Sequence, residues 1–277
     1  MTLAPLIELN DGNRIPQLGL GTWPLDDEQV AAAVVHAVEA GYRHIDTAVK
    51  YGNERGVGNG IRASGVDRSE LFITTKLDGE FQGDDRAVAG LEGSLNRLGL
   101  DYVDLLLIHW PLPGRDQYIS TWRTFERLQA EGKVRSIGVS NFKPAHLERL
   151  MAETNVVPAV NQIQLSPAIT RSAERQFHER HGIVTESYSP LGGSGAGLLS
   201  APLLAQLAEK HGKTPGQLVL RWHIQNGLVT IPKTASPGRM AENLDVFDFA
   251  LDPQDLAELW VLDEGPGAGN DSDKTGH

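Results

Sequence analysis

Leu71-Phe-Ile-Thr-Thr-Lys76 and Val103-Asp-Leu-Leu-Leu-Ile-His109 are two short apolar runs, each closed by an ionisable side chain. Runs of this length read as buried strands rather than helices. The same kind of run recurs at Leu18 to Thr22, Arg43 to Ala48, Val134 to Ser140, Ala159 to Leu165, Val184 to Ser189 and Val229 to Lys233. Between them lie amphipathic stretches such as Asp27-Glu-Gln-Val-Ala-Ala-Ala-Val-Val-His-Ala-Val-Glu-Ala. Gly41, Gly65, Gly99, Gly132 and Gly182 stand where such segments end, which suits the residue just past a helix. Apolar strands alternating with helices predict an α/β fold with a parallel sheet covered on both faces. About eight such units close into a (β/α)8 TIM barrel.

Ahead of the first unit, Leu6-Ile-Glu-Leu and Arg14-Ile-Pro-Gln-Leu flank Asn10-Asp11-Gly12-Asn13. The Asp-Gly pair favours the positive φ of a tight turn, so an N-terminal β-hairpin is expected. A doubly wound sheet, the competing architecture, needs a glycine-rich turn straight after its first strand. The nearest match, Gly58-Asn-Gly60-Ile-Arg-Ala63, lies inside a helix-like segment and is discounted. Glu264 to His277 is polar and glycine-rich, a loop or a frayed tail. The expectation is one domain over residues 1–277.

The chain has 25 basic and 36 acidic side chains and a formal net charge of -11, without long blocks of like charge. Nucleic-acid or anionic-membrane surfaces need a concentrated basic footprint, so neither partner is expected. There is no cysteine, which excludes disulfides, thiol catalysis and cysteine-based zinc sites. The first residues, Met-Thr-Leu-Ala-Pro-Leu-Ile-Glu, show no charged region followed by an apolar one, and no run is long enough to span a bilayer. A cytoplasmic location is the expectation. No metal site is expected: the histidines show no His-Glu-x-x-His spacing, and His178 with His181 lack a nearby third ligand.

In a closed α/β barrel, function sits where the strands end. Asp46, Lys76 and His109 fall at three consecutive strand ends, and Tyr51 lies in the loop after the first of them. Each has an ordinary structural explanation singly: a helix cap, an edge charge, a surface ring, a core histidine. Four on one rim point to proton transfer. A phenol holds its proton near neutral pH, and an adjacent ammonium favours the phenolate and lowers its pKa. Tyr51 is then the general acid, Lys76 its tuner, Asp46 the carboxylate that keeps Lys76 charged, and His109 a donor that orients a substrate oxygen.

Gly21-Thr-Trp23, Gly41-Tyr-Arg-His-Ile-Asp-Thr-Ala48, Tyr51-Gly-Asn-Glu54, Ile73-Thr-Thr-Lys-Leu77, Ile108-His-Trp-Pro111, Gly138-Val-Ser-Asn-Phe142, Val160-Asn-Gln-Ile163, Ser187-Tyr-Ser-Pro-Leu-Gly192 and Ile231-Pro-Lys-Thr234 run in this order along almost the whole chain. Together they resemble the motifs of the aldo-keto reductases, in particular prokaryotic members of the 2,5-diketogluconate reductase kind. The resemblance implies a monomer that uses NADPH to reduce small aldehydes or ketones (dicarbonyls, keto sugars or keto acids) reversibly, with no obligate protein partner. It also implies cofactor contacts from Gly21, Thr22 and Trp23. Ser140, Asn141 and Gln162 would hold the nicotinamide carboxamide, Tyr188 would stack on its ring, and Ser189 and Leu191 would follow the pyrophosphate. Lys233, Thr234, Ser236, Arg239, Glu242 and Asn243 would form the 2′-phosphate and adenine site. The cations and hydroxyls in this last group suit a phosphate.

For the substrate, Trp23 and Trp110 are expected as apolar walls beside His109. Lys50 stands where relatives often have an apolar residue, Asp78 where many have Trp, and Ser166 where His is common. Lys50 could attract a carboxylated carbonyl compound, or pair with Asp78 across neighbouring loops. Two other activities fit some of the same residues. A Schiff-base lyase would use Lys76 as nucleophile, which requires a neutral amine. A non-enzymatic NADP(H)-binding subunit would report redox state to a partner.

Overall fold

A computed structural model describes residues 3–193 and 197–276. The chain opens with an antiparallel hairpin, β1 (Leu6–Glu8) and β2 (Arg14–Pro16), in register Ile7↔Ile15. Gly12, at φ 84, makes the turn between them. Eight parallel strands follow: β3 (Leu20–Gly21), β4 (His44–Asp46), β5 (Phe72–Leu77), β6 (Val103–Ile108), β7 (Val134–Ser140), β8 (Val160–Gln164), β9 (Val184–Tyr188) and β10 (Val229–Thr230). They lie side by side in chain order. Parallel bridges Leu18↔Thr230 and Gly21↔Lys233 join the first strand to the last, which closes the sheet into the expected barrel.

The strands are buried on both faces because each face has its own partner. Ile45, Ile73, Leu106, Ile108, Ile137 and Val139 belong to the core shared with the surrounding helices. Phe72, Leu105, Leu107, Val160 and Val229 form a separate cluster with Leu9 and Ile15 of the hairpin. Asn10 donates to the Pro158 carbonyl and Asn13 to the Arg135 carbonyl, so the hairpin covers the mouth where strands begin. Further along, the inward positions become polar: His44 and Thr74 in one tier, Asp46, Lys76 and Gln162 above. Inward residues alternate along each strand, so this gradient is written in every second residue.

The helices end as their glycines predict. Gly41 (φ 121), Gly65 (φ 68) and Gly99 (φ 67) cap α1 (Asp27–Ala40), α2 (Glu54–Ser64) and α3 (Asp84–Leu98). Gly58 and Gly60 lie within α2, where a Cβ would meet the Leu98 carbonyl oxygen at 2.0 Å and that of Ala31 at 2.7 Å. They let α2 approach its neighbours closely and have no part in a nucleotide turn. The strands of the structure are mostly shorter than the apolar runs, because ladder pairing stops before apolar burial does. The tail is an ordered loop through residue 276, with Ser272 buried.

Candidate active site at the carboxyl mouth

Asp46 ends β4, Lys76 is the penultimate residue of β5, and His109 follows β6, so three adjacent strands deliver them to one mouth. Tyr51 arrives on a 3-10 turn, Val49–Tyr51, closed by Gly52 at φ 69. The Lys76 Nζ donates to Asp46 Oδ1 at 2.5 Å, to the Thr47 carbonyl at 2.9 Å and to the Tyr51 hydroxyl at 3.2 Å. An ammonium has three hydrogens, and these contacts use them all. The His109 ring stands edge-on to Tyr51 with centroids 5.8 Å apart, and Trp23 lies on the same ring at 5.3 Å. Asn141 Nδ2 holds the His109 carbonyl at 3.1 Å, and Gln82 holds that of Trp110 at 2.7 Å.

Burial alone would lower the Lys76 ammonium, but Asp46 and then Tyr51 outweigh it and the net direction is upward. Lys76 therefore stays a cation, the wrong state for a Schiff-base nucleophile. For Tyr51 the sequence expectation needs correction. Lys76 does pull the phenol down, yet burial is the larger effect, Asp46 adds to it, and the net direction is upward. In the state described the phenol is a held proton beside a fixed cation. That arrangement can donate a proton to a carbonyl oxygen and, in reverse, accept one from an alcohol.

A cavity of about 440 Å³ opens beside Tyr51 and is lined by Gly21, Thr22, Trp23, Tyr188, Ser189, Leu191 and Lys233, among others. Asn141 (φ 64) and Ser189 (φ 51) hold left-handed backbone at this rim, a strain that concentrates at functional loops. Ser140 Oγ donates to the Gln162 carbonyl at 2.9 Å, and the Tyr188 hydroxyl donates to Asn141 Oδ1 at 2.9 Å. Beyond the cavity, Ser236 caps the helix Pro237–Leu244, and Thr234 Oγ1 accepts from the Ser236 amide at 3.0 Å. Lys233 and Arg239 are exposed and make no ion pair among the described residues, as an anion site requires. Glu242 and Asn243 are tied into the fold: Glu242 accepts from Thr214 at 2.5 Å, and Asn243 bonds the Tyr42 hydroxyl.

Lys50 is exposed next to Tyr51, and Asp78 is buried, accepting from the Glu80 amide at 3.1 Å to cap a short turn. The two form no ion pair among the described residues. The sequence reading missed Glu186, His44 and Asn270. Glu186 had a detectable signal, a carboxylate two residues before Tyr188 and hence on the same inward face of β9.

The family model described as "Aldo/keto reductase family" matches residues 17–264. The chain belongs to the aldo/keto reductase family. Among its relatives, the Methylglyoxal reductase DkgA of Salmonella typhimurium is 49% identical over 271 residues, covering 98% of each chain. An aldo/keto reductase crystal structure from Brucella melitensis is 50% identical with a TM-score of 0.90, over 94% of this chain and all of that one. A variant of Gox0644, solved in complex with NADPH, is 45% identical with a TM-score of 0.93 over 99% of both chains. Among the described residues no helix is long and apolar enough to cross a membrane, and no group of His, Asp and Glu could hold a metal ion.

Proposed function

We propose that the protein is an NADPH-dependent oxidoreductase that reduces small aldehydes and ketones to alcohols, reversibly, with Tyr51 as the proton donor. The observation that carries this reading is the Lys76 Nζ, bonded at once to Asp46 Oδ1 at 2.5 Å and to the Tyr51 hydroxyl at 3.2 Å. When bound, NADPH supplies the hydride for the carbonyl carbon. Tyr51 gives its proton to the carbonyl oxygen, Lys76 stabilises the phenolate left behind, and Asp46 keeps Lys76 charged. His109 directs the substrate oxygen toward Tyr51, and Trp23 and Trp110 exclude water with apolar walls.

The cofactor fits the chain's own chemistry. Lys233 and Arg239, without an ion pair among the described residues, suit the 2′-phosphate with Thr234 and Ser236, and the cavity of about 440 Å³ runs from Lys233 to Tyr51. Ser140, Asn141 and Gln162 would bind the carboxamide, Tyr188 the nicotinamide face, and Ser189 and Leu191 the pyrophosphate. The relatives named methylglyoxal reductase support a small dicarbonyl as substrate.

The test is Tyr51→Phe together with Lys76→Met. Both should lose reduction by roughly 10²- to 10⁴-fold, the share of a positioned acid. NADPH binding, followed by quenching of tryptophan fluorescence, should stay nearly unchanged in Tyr51→Phe. Normal turnover in Tyr51→Phe overturns the assignment.

A further inference from the structure

Below Lys76 the barrel holds a carboxyl group that the proposed reaction does not use. Glu186 is fully buried, and its Oε2 accepts from Gln162 Nε2 at 3.0 Å. The same nitrogen donates to Asp46 Oδ2 at 2.8 Å. An Asp46 carboxylate can only accept, so the nitrogen of the Gln162 amide, not its oxygen, faces the pair. Both amide hydrogens are thereby used, and Oε1 is the one hydrogen-bonding atom that the Gln162 side chain has left.

The groups facing Glu186 come from four strands. His44 and Asp46 lie on β4, Lys76 on β5 and Gln162 on β8, while β10 sets Val229 beside it. Its Oε1 is 3.6 Å from His44 Nε2, beyond hydrogen-bond length, and has no hydrogen-bond partner among the described residues. We propose that Glu186 is a positioning residue of the reduction: through Gln162 it determines that the nicotinamide carboxamide meets an acceptor, and its charge state governs the proton held by Tyr51. This rests on the Tyr51 and NADPH reading above.

The electrostatics follow from burial. Desolvation, then the Asp46 charge, push Glu186 up to about 8, and desolvation pulls His44 down to about 3. Both directions favour the uncharged forms, which leave Asp46 as the carboxylate that balances Lys76. Once Glu186 ionises, the pocket holds an extra negative charge where screening is weak. A second negative charge on the phenol then becomes harder to form, so ionised Glu186 raises Tyr51. A glutamine at 186 still accepts from Gln162 and never ionises. Tyr51 in that variant releases its proton at lower pH than in the wild type.

The experiment compares the full-length wild type with Glu186→Gln and Glu186→Leu. Carbonyl reduction with NADPH and alcohol oxidation with NADP+ are followed across the pH range on either side of the ordinary phenol value of ~10. In Glu186→Gln the alkaline fall of reduction and the matching rise of oxidation should both move to lower pH, with KM for NADPH unchanged. In Glu186→Leu, which cannot accept from Gln162, KM for NADPH should rise roughly two- to tenfold, the loss of one hydrogen bond. Superimposable pH profiles for wild type and Glu186→Gln overturn the proposal. If Glu186→Leu does not fold, the glutamine profile decides alone. A wild type that shows no NADPH-dependent turnover counts against the parent reading instead, so the two failures are separable.

Discussion

Asn270 Nδ2 donates to the Tyr188 hydroxyl at 3.0 Å, which couples the polar carboxyl tail directly to the rim of the barrel. Because the Tyr188 hydroxyl in turn donates a hydrogen bond to Asn141 Oδ1, one chain of bonds links the tail, β9 and the loop after β7. The tail is clamped at further points as well. Lys143 pairs with Asp271 and Asp273, His146 meets Asp273 at 3.0 Å, and Arg171 donates to the Asn270 carbonyl at 2.8 Å.

Loosening that clamp should change binding more than stability. In the double variant Asp271→Asn, Asp273→Asn, trypsin should cut after Lys274 faster, and KM for NADPH should rise several-fold. Stability in urea should fall only slightly, since exposed ion pairs contribute little. Unchanged proteolysis and KM would mean that the ion pairs of Asp271 and Asp273 do not hold the tail.

Arg239 and Lys233 should set the choice of cofactor. Loss of a charge-assisted bond to phosphate costs about 1.5–3 kcal/mol, so Arg239→Ala should raise KM for NADPH roughly 10- to 150-fold. KM for NADH should barely move, because NADH carries no 2′-phosphate. Equal losses with both cofactors in a steady-state comparison would remove Arg239 from the phosphate site.

Lys50 offers a positive charge beside Tyr51 with no ion pair among the described residues. If it draws anionic substrates, Lys50→Ala should reduce kcat/KM for a keto acid by about fivefold or more, on the order of one exposed charge interaction. The neutral analogue should be untouched. The same ratio of the two substrates before and after substitution would rule out that role.

Acid should unfold the protein through its buried imidazoles. Desolvation holds His44 and His223 down to about 3 and His178 down to about 4, whereas the unfolded chain takes up these protons near the free value of ~6.5. Stability from these groups is therefore complete above that value and is lost as pH falls toward the folded ones. At pH ~5 each should cost about 2 kcal/mol relative to neutral pH. Urea titrations at the two pH values measure this directly, and a flat response would show that the histidines are solvated.

Much of the site was legible because a strand end is a local property. Lys76 and His109 each close an apolar run, and a parallel barrel brings all such ends to one mouth whatever the loops do. The hairpin was equally plain from Asp11-Gly12, and the helix ends from glycines such as Gly65 and Gly99. Glu186 carried one signal, its place two residues before Tyr188, but an acid inside a strand reads as an ordinary polar position until its neighbours are known. His44 was hidden for the same reason, and Asn270 because nothing in a glycine-rich tail announces what it will touch. The tendency of Tyr51 was misjudged because one favourable neighbour, Lys76, was set against the free phenol and not against the cost of burying it.

The amino-acid order by itself determined the barrel, the strand that carries each ionisable group, and the cations available for an anionic cofactor. These depend on periodicity and on residue type at known offsets. Only the tertiary structure decided which way the Gln162 amide points, what seals the lower mouth, where the tail is fastened, and whether Tyr51 keeps its proton. Those outcomes are sums of desolvation and charge over residues such as Asp46, Gln162 and Glu186. Such residues lie far apart along the chain and become neighbours only when the sheet closes.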